Sequence, residues 1–385
     1  MGPLGGIGRS SRPRIAYVTS SRGVGGGAER LLEALLAAGA DRGWDQLLLN
    51  PFANEESVAV AELAELAGST AYSGHRCDRW TDLPALRRWL RSELDAFRPD
   101  LLHVMLLQAL LVTSTLRKKA PTKWLLTHVY GDVFAVRRFG RTYRALDRWA
   151  GRRFDRMVAI SKAVEDFLVT DHGYPSEKVL CIQPGWEGEP RPRIDGGAPT
   201  VVCVAKMRPE KGHDTLLDAF DLVRRDVPDA RLVLVGDGDL RPALEAKVDT
   251  LGLRGSVVFA GPVPDIWEHL APASVFALAS RSEAFGIALV EAMAAGLPVV
   301  APAVGAIPEV VTSGVTGELY RPGDHRALAD SITKILRSRE LQREMGTKAV
   351  EAARDLHITR TVDRYFELYD ALLSSNDGSR PQMRS

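Results

Sequence analysis

Short apolar runs alternate along the chain with longer stretches in which apolar positions recur every three or four residues. Residues 14–20 (RIAYVTS), 46–50, 100–105, 123–127 and 156–161 have the length of strands and are apolar at successive rather than alternate positions. A strand apolar on both faces belongs in a sheet covered on both faces, so these runs predict a parallel sheet with helices on either side. A Gly-rich turn and a helix over residues 28–40 follow the first run. The pattern breaks at residues 184–199 (PGWEGEPRPRIDGGAP), which have the Pro/Gly content of a linker. It then restarts, with strands predicted at 200–207, 231–235, 256–260, 274–279 and 298–301 and helices at 214–225 and 286–295. No short-period repeat is present, which excludes a solenoid.

The expected layout is a disordered tail over residues 1–13, a first α/β domain over 14–185 and a linker over 186–199. A second α/β domain follows over 200–360, then a helix over 361–373 and a disordered tail over 374–385. Two open α/β sheets joined by one linker face each other across a cleft. Ligands of such sheets bind beyond the carboxyl ends of the strands, so the chemistry is expected in the loops that follow strands.

Composition changes this picture little but removes alternatives. The 385 residues are 45% hydrophobic and 26% charged, the balance of a folded globular chain. Lys plus Arg number 50 against 49 Asp plus Glu, a net charge of +1, so no basic excess argues for nucleic acid. Cys77, Cys181 and Cys203 are odd in number and lack C-x-x-C spacing, which points to neither disulfides nor structural zinc. With no long apolar run and no signal-like N-terminus, a cytoplasmic location is expected.

Four loops can carry chemistry. Gly23-Val24-Gly25-Gly26-Gly27-Ala28-Glu29 follows the first strand and runs into a helix N-terminus, a place suited to phosphate. Gly23, Gly25 and Ala28 also meet the dinucleotide pattern G-x-G-x-x-A, but strand two ends at Asn50-Pro51 without the acidic residue that would hold a ribose. A plain strand-to-helix turn is the simpler alternative. In the second half, Arg208 and Lys211 stand three residues apart in RPEKG, where a fork and a point charge can converge on a diphosphate. A solvated loop would look the same. Glu283 and Glu291 flank Gly286, and the amides of Phe285, Gly286 and Ile287 would open the following helix toward the cleft. Such carboxylates accept hydrogen bonds from paired sugar hydroxyls, or serve as a helix cap and an exposed helix residue. Finally, His128 stands at a strand end in the first half, as a cleft residue or a structural one.

Two features compete for notice. Asp237-Gly238-Asp239 has the spacing of a metal motif, but its commoner role is a turn. Arg137, Arg141, Arg144, Arg148 and Arg152 recur at helical spacing with Phe139, Tyr143 and Trp149 between them. This is a solvated basic helix, or a face for an acidic acceptor or the anionic inner surface of a membrane.

Taken in order, Gly26-Gly27-Ala28-Glu29, VAISK at 158–162, RPEKG at 208–212, LVGDG at 234–238, the stretch from Ser280 to Val311 and Thr316-Gly317-Glu318-Leu319 resemble the retaining glycosyltransferases of family 4. The resemblance covers about residues 14–370 and implies the GT-B fold, two Rossmann-like domains facing across a deep cleft. It implies that Arg208 and Lys211 hold the diphosphate of a nucleoside diphosphate sugar, UDP- or GDP-linked. Glu291 would take the ribose and Glu283 the donor sugar, with Phe285 and Gly286 amides nearby. His128 would lie by the reacting centre, and Gly26 and Gly27 would border the phosphates. No metal and no cofactor beyond the sugar nucleotide are implied, and the acceptor is a hydroxyl of a glycan, glycolipid or natural product. The last helix would cross back to the first domain. Two departures stand out: Pro184-Gly185-Trp186-Glu187 replaces Asn-Gly-Val-Asp, and Gly305-Ala306 replaces Gly-Gly. The rival readings are an NAD-dependent oxidoreductase using the Gly23 loop and a non-catalytic binder of sugar nucleotides.

Overall fold

The structure is a computed structural model that describes residues 12–20, 27–51, 82–119, 121–128, 144–190 and 197–374. It contains two six-stranded sheets. The first has β1 (Arg14–Val18), β2 (Asp45–Leu49), β3 (Leu101–Met105), β4 (Lys123–His128), β5 (Arg156–Ala159) and β6 (Val179–Cys181) in the order β2-β1-β3-β4-β5-β6. The second has β7 (Thr200–Val204), β8 (Arg231–Val235), β9 (Val257–Gly261), β10 (Val275–Ala277), β11 (Val299–Pro302) and β12 (Gly317–Tyr320) in the order β12-β11-β10-β7-β8-β9. Every strand pair is parallel.

The successive apolar positions of β1 are explained by burial on both sides. Ile15 and Tyr17 enter the core beneath the helix Gly27–Asp41, whereas Ala16 and Val18 enter the core on the other face. Strand order reverses between β1 and β3 in the first sheet and between β7 and β10 in the second. The crevices at these two reversals are where loops diverge and ligands fit.

The last helix, Ile358–Ser374, leaves the second sheet and packs on Gly27–Asp41 and β3. Its Tyr365, Phe366 and Tyr369 are buried in the core of the first sheet. A hydrogen-bonded chain fixes this docking: His103 joins Tyr369 Oη (2.8 Å) to Thr127 Oγ1 (2.7 Å), and Thr127 in turn meets Tyr365 Oη (3.1 Å). The ring of Phe366 also packs edge-on against Trp44 and lies under the Arg42 guanidinium.

The linker begins later than its composition suggests. Trp186, expected as its first residue, is buried, and its indole N–H donates to Ala353 O (2.7 Å). Its backbone bridges to Leu356 and Ile358, so the outgoing and returning chains cross here. Gly185 permits the crossing: a Cβ at this position would lie 2.4 Å from the Ile358 amide nitrogen. Gly185, the one residue kept from the Asn-Gly-Val-Asp that the resemblance implies, is therefore the one at the chain contact. Residues 191–196 lie outside the described residues.

Other differences are small. Pro13, expected in the first tail, accepts a hydrogen bond from Asp45 (3.0 Å), and Ser374, expected in the last, closes the final helix. The rest of both tails falls outside the described residues. Strands β6 and β12 were not expected. The first has three residues, and the second begins with Gly and carries Glu318. Neither offers the apolar run by which a strand is read. Among the described residues, no helix is long and apolar enough to cross a membrane.

Candidate functional site

The site is built at the reversal between β7 and β10, where the two following loops are stitched together. After β7 the chain turns through Arg208 into a single 3-10 turn, Pro209–Lys211, and leaves by Gly212 at φ 63°. A Cβ on Gly212 would stand 2.0 Å from Ala279 O, so only glycine lets the loops touch. Arg281 completes the seam: its amide donates to Glu210 O (2.7 Å), and its guanidinium reaches Pro209 O and Asp214.

This seam brings two predicted residues into contact. Lys211 Nζ lies 2.6 Å from Glu283 Oε2, and Ser280 Oγ donates to the same oxygen (3.2 Å). Both side chains are largely buried. Gly286, at φ 90°, opens the helix Ile287–Ala294. Among the described residues, the amides of Phe285, Gly286 and Ile287 have no backbone acceptor, as at the start of any helix. Their partial positive charge favours an anion in front of Gly286. The backbone of Glu283 is clamped from behind by Gly305 and Ala306. The Ala306 amide donates to Glu283 O, and a Cβ on Gly305 would fall 1.8 Å from that oxygen. At the second position of the family's Gly-Gly pair, Ala306 has φ −84°, which any residue adopts. The departure therefore falls where glycine is not required.

Arg208 is exposed, and among the described residues its guanidinium takes no ion-pair partner. Glu291 is not the exposed helix residue of the simpler reading. It is buried and paired across the cleft with Arg30, in the first turn of Gly27–Asp41. Burial raises its pKa, and the Arg30 charge opposes that rise. Behind Lys211, His213 is buried, and desolvation followed by the nearby Lys211 charge lowers its pKa to about 4.

From the first lobe, Gly27 begins its helix, while Gly23, Gly25 and Gly26 lie outside the described residues. His128 ends β4, paired with Ala159, and its side chain also lies outside what is described. Nearby, Glu309 of the second lobe accepts from the amides of Lys162 (2.9 Å) and Ala163 (2.8 Å) at a helix start in the first lobe. Sequence reading missed Arg30, Ser280 and Glu309. Arg30 follows the Gly-Gly-Ala-Glu motif directly, the one local signal that could have drawn notice.

The Asp237-Gly238-Asp239 motif is a turn. Asp237 accepts from the Gly238 amide and faces Arg241, and Gly238 lies so close to Met207 O that a Cβ would meet it at 2.5 Å. A surface cavity of about 510 Å³ sits at the other end of the first sheet, beside Asp100, Thr122 and Trp124, away from these loops.

Comparisons with known proteins agree with this architecture. The family model described as Glycosyltransferase Family 4 matches residues 25–187, and that described as Glycosyl transferases group 1 matches residues 186–352. The chain is 33% identical over 180 residues to N-acetyl-alpha-D-glucosaminyl L-malate synthase of Bacillus anthracis, covering 46% of this chain and 47% of that one. It is 36% identical over 160 residues to a GDP-mannose-dependent alpha-(1-6)-phosphatidylinositol monomannoside mannosyltransferase of Mycolicibacterium smegmatis, covering 39% and 42%. The chain thus spans less than half the length of these curated relatives. Among solved structures, Anabaena HepE in complex with UDP-glucose superposes with a TM-score of 0.80 at 22% identity, over 93% of this chain and 99% of that one. Sucrose-phosphate synthase from Thermosynechococcus elongatus gives 0.77 at 22% identity, over 94% and 100%. With both halves matched in order and two facing parallel sheets, the chain belongs to the family 4 glycosyltransferases and has their GT-B fold.

Proposed function

We propose that the protein transfers a hexosyl group from a nucleoside diphosphate sugar to an acceptor hydroxyl, with retention of anomeric configuration and without a divalent metal. The observation that carries this reading is the contact between Lys211 and Glu283 in front of the Gly286 turn. It sets a hydroxyl acceptor and a cation beside the amides that open the helix Ile287–Ala294. An ammonium has three donors, and Glu283 takes one, so Lys211 keeps two for a phosphate. Arg208, exposed at the mouth of the same loop, supplies a second cation. As the glycosidic bond breaks, negative charge grows on the diphosphate. Fixed cations and amides there stabilise the transition state more than the ground state. Glu283 is engaged by Lys211 and Ser280 and serves as an acceptor for sugar hydroxyls rather than as a nucleophile. Attack from the leaving-group face, with the departing phosphate taking the acceptor's proton, is the retaining route that asks least of the protein.

Relatives support the donor class. The Mycolicibacterium relative is named for GDP-mannose, and the Anabaena structure holds UDP-glucose. A thermal-shift panel of UDP-, GDP-, ADP- and dTDP-sugars with NAD alongside tests the reading, followed by product mass on an acceptor library in EDTA. A sugar nucleotide present at 100 times its Kd stabilises by about 2.7 kcal/mol. Stabilisation by NAD alone would favour the oxidoreductase. Binding without transfer to any acceptor would favour the non-catalytic binder.

A second reading concerns location. Leu146 and Trp149, 48% and 45% exposed, project from the helical residues 144–151 beside Arg144, Arg148 and Arg152. Arg137 and Arg141 lie outside the described residues. Exposed apolar residues among cations are what an anionic membrane surface receives. We propose peripheral contact of this face with anionic lipid. Co-sedimentation with phosphatidylglycerol vesicles, lost on Trp149→Asp with Leu146→Asp, tests it. Equal binding of the double variant would exclude it.

A further inference from the structure

Glu291 sits in the second lobe, but its partner comes from the first. Arg30 Nη1 donates to Glu291 Oε1 across 261 residues of sequence. The Glu291 side chain is 7% exposed and that of Arg30 36%. Other pairs differ: Arg42 with Asp363 is exposed on both sides, and Lys211 with Glu283 lies within one lobe. A carboxylate this buried is costly without a partner of opposite charge. Its own helix, Ile287–Ala294, brings no cation, since its sequence is IALVEAMA.

Arg30 is placed for this by the fold of the first lobe. Leu31, Leu32, Leu35 and Leu36 bury one face of the helix Gly27–Asp41, and the last helix braces it from outside. Residue 30 stands in its first turn, directly after the glycine loop at the β1–β3 reversal. The guanidinium engages Oε1, and among the described residues Oε2 has no hydrogen-bond donor, so it can accept from a ligand. The pair therefore does not close the carboxylate to substrate.

We infer that Arg30 is a positioning residue for donor binding: it reaches across the cleft to hold Glu291 ionised and aimed, so that the ribose is recognised only when both lobes are engaged. The inference rests on the reading of Glu291 as the ribose acceptor. It adds that the first lobe governs an interaction made by the second. Without Arg30, the carboxylate loses the charge that opposes its desolvation, and it takes up a proton or turns away.

The test measures binding of UDP and GDP against their 2′,3′-dideoxy counterparts by calorimetry, in the wild-type chain, Arg30→Ala and Arg30→Lys. In the wild type, loss of the hydroxyls should weaken whichever nucleotide binds by about tenfold or more, as expected for hydrogen bonds to a charged group. In Arg30→Ala that penalty should shrink to about twofold, because the acceptor is no longer presented, and Arg30→Lys should restore part of it. A merely structural Arg30 would weaken normal and dideoxy nucleotides alike and leave their ratio unchanged. An unchanged ratio in Arg30→Ala would overturn the role of Arg30 alone. A wild type indifferent to the hydroxyls would overturn the ribose role of Glu291, and this inference with it.

Discussion

Lys211 Nζ and Glu283 Oε2 stand 2.6 Å apart, one on the loop after β7 and the other on the loop after β10. The contact is both structural and chemical. It ties the two loops of the strand reversal and presents a cation and an acceptor to the same space. Lys211→Ala leaves Glu283 largely buried without its charge partner, at a cost of about 1–3 kcal/mol. Turnover should fall by roughly two decades as well. Thermal unfolding and initial rates together check both losses.

Arg208 separates the two effects. It is exposed and takes no ion-pair partner among the described residues. Surface substitutions of that kind move stability by no more than about 0.5 kcal/mol. Arg208→Ala should therefore unfold at the wild-type temperature while losing roughly two decades in turnover. Unchanged turnover in a folded variant would remove Arg208 from the diphosphate.

Gly305 and Ala306 should respond unequally to substitution. A Cβ on Gly305 meets Glu283 O at 1.8 Å, and its φ of 51° disfavours any side chain. Gly305→Ala should cost at least about 1–3 kcal/mol and disturb donor affinity, because the loop that must move carries Glu283. Ala306→Gly restores the Gly-Gly pair that the family resemblance implies and should leave donor affinity unchanged. Melting temperatures and donor titrations of the two variants decide it.

These contacts show where sequence reading stops. The strands of both sheets are legible where burial on both faces makes an unbroken apolar run, as in Ile15 to Val18, and illegible in Val179–Cys181, which is too short. Glu283 and Glu291 are legible as a pair because both flank Gly286 in one continuous stretch. Their environments are not. That Glu283 rests on Lys211, and Glu291 on Arg30, depends on strand order and lobe closure, which no local spacing encodes. Trp186 shows the same limit: a Pro/Gly-rich neighbourhood signals a linker, yet the residue itself is buried against the returning chain.

The crossing of the last helix gives a prediction in pH. His103 is fully buried between Tyr369 and Thr127, and desolvation lowers its pKa from 6.5 to about 3. The unfolded chain takes up that proton near pH 6.5, whereas the folded chain resists it until about pH 3. A depressed native pKa means stability present above 6.5 and progressively lost as pH falls from there toward 3. His213, at about 4, adds to the same slope. His103→Leu removes one titrating group but leaves the hydroxyls of Tyr369 and Thr127 short of a partner. The variant should melt lower at pH 7, yet its melting temperature should fall less steeply between pH 6.5 and 4.5 than that of the wild type. Parallel slopes would mean that His103 is protonated in the folded chain, and the hydrogen-bonded chain linking Tyr369 to Thr127 would need a charged ring at its centre.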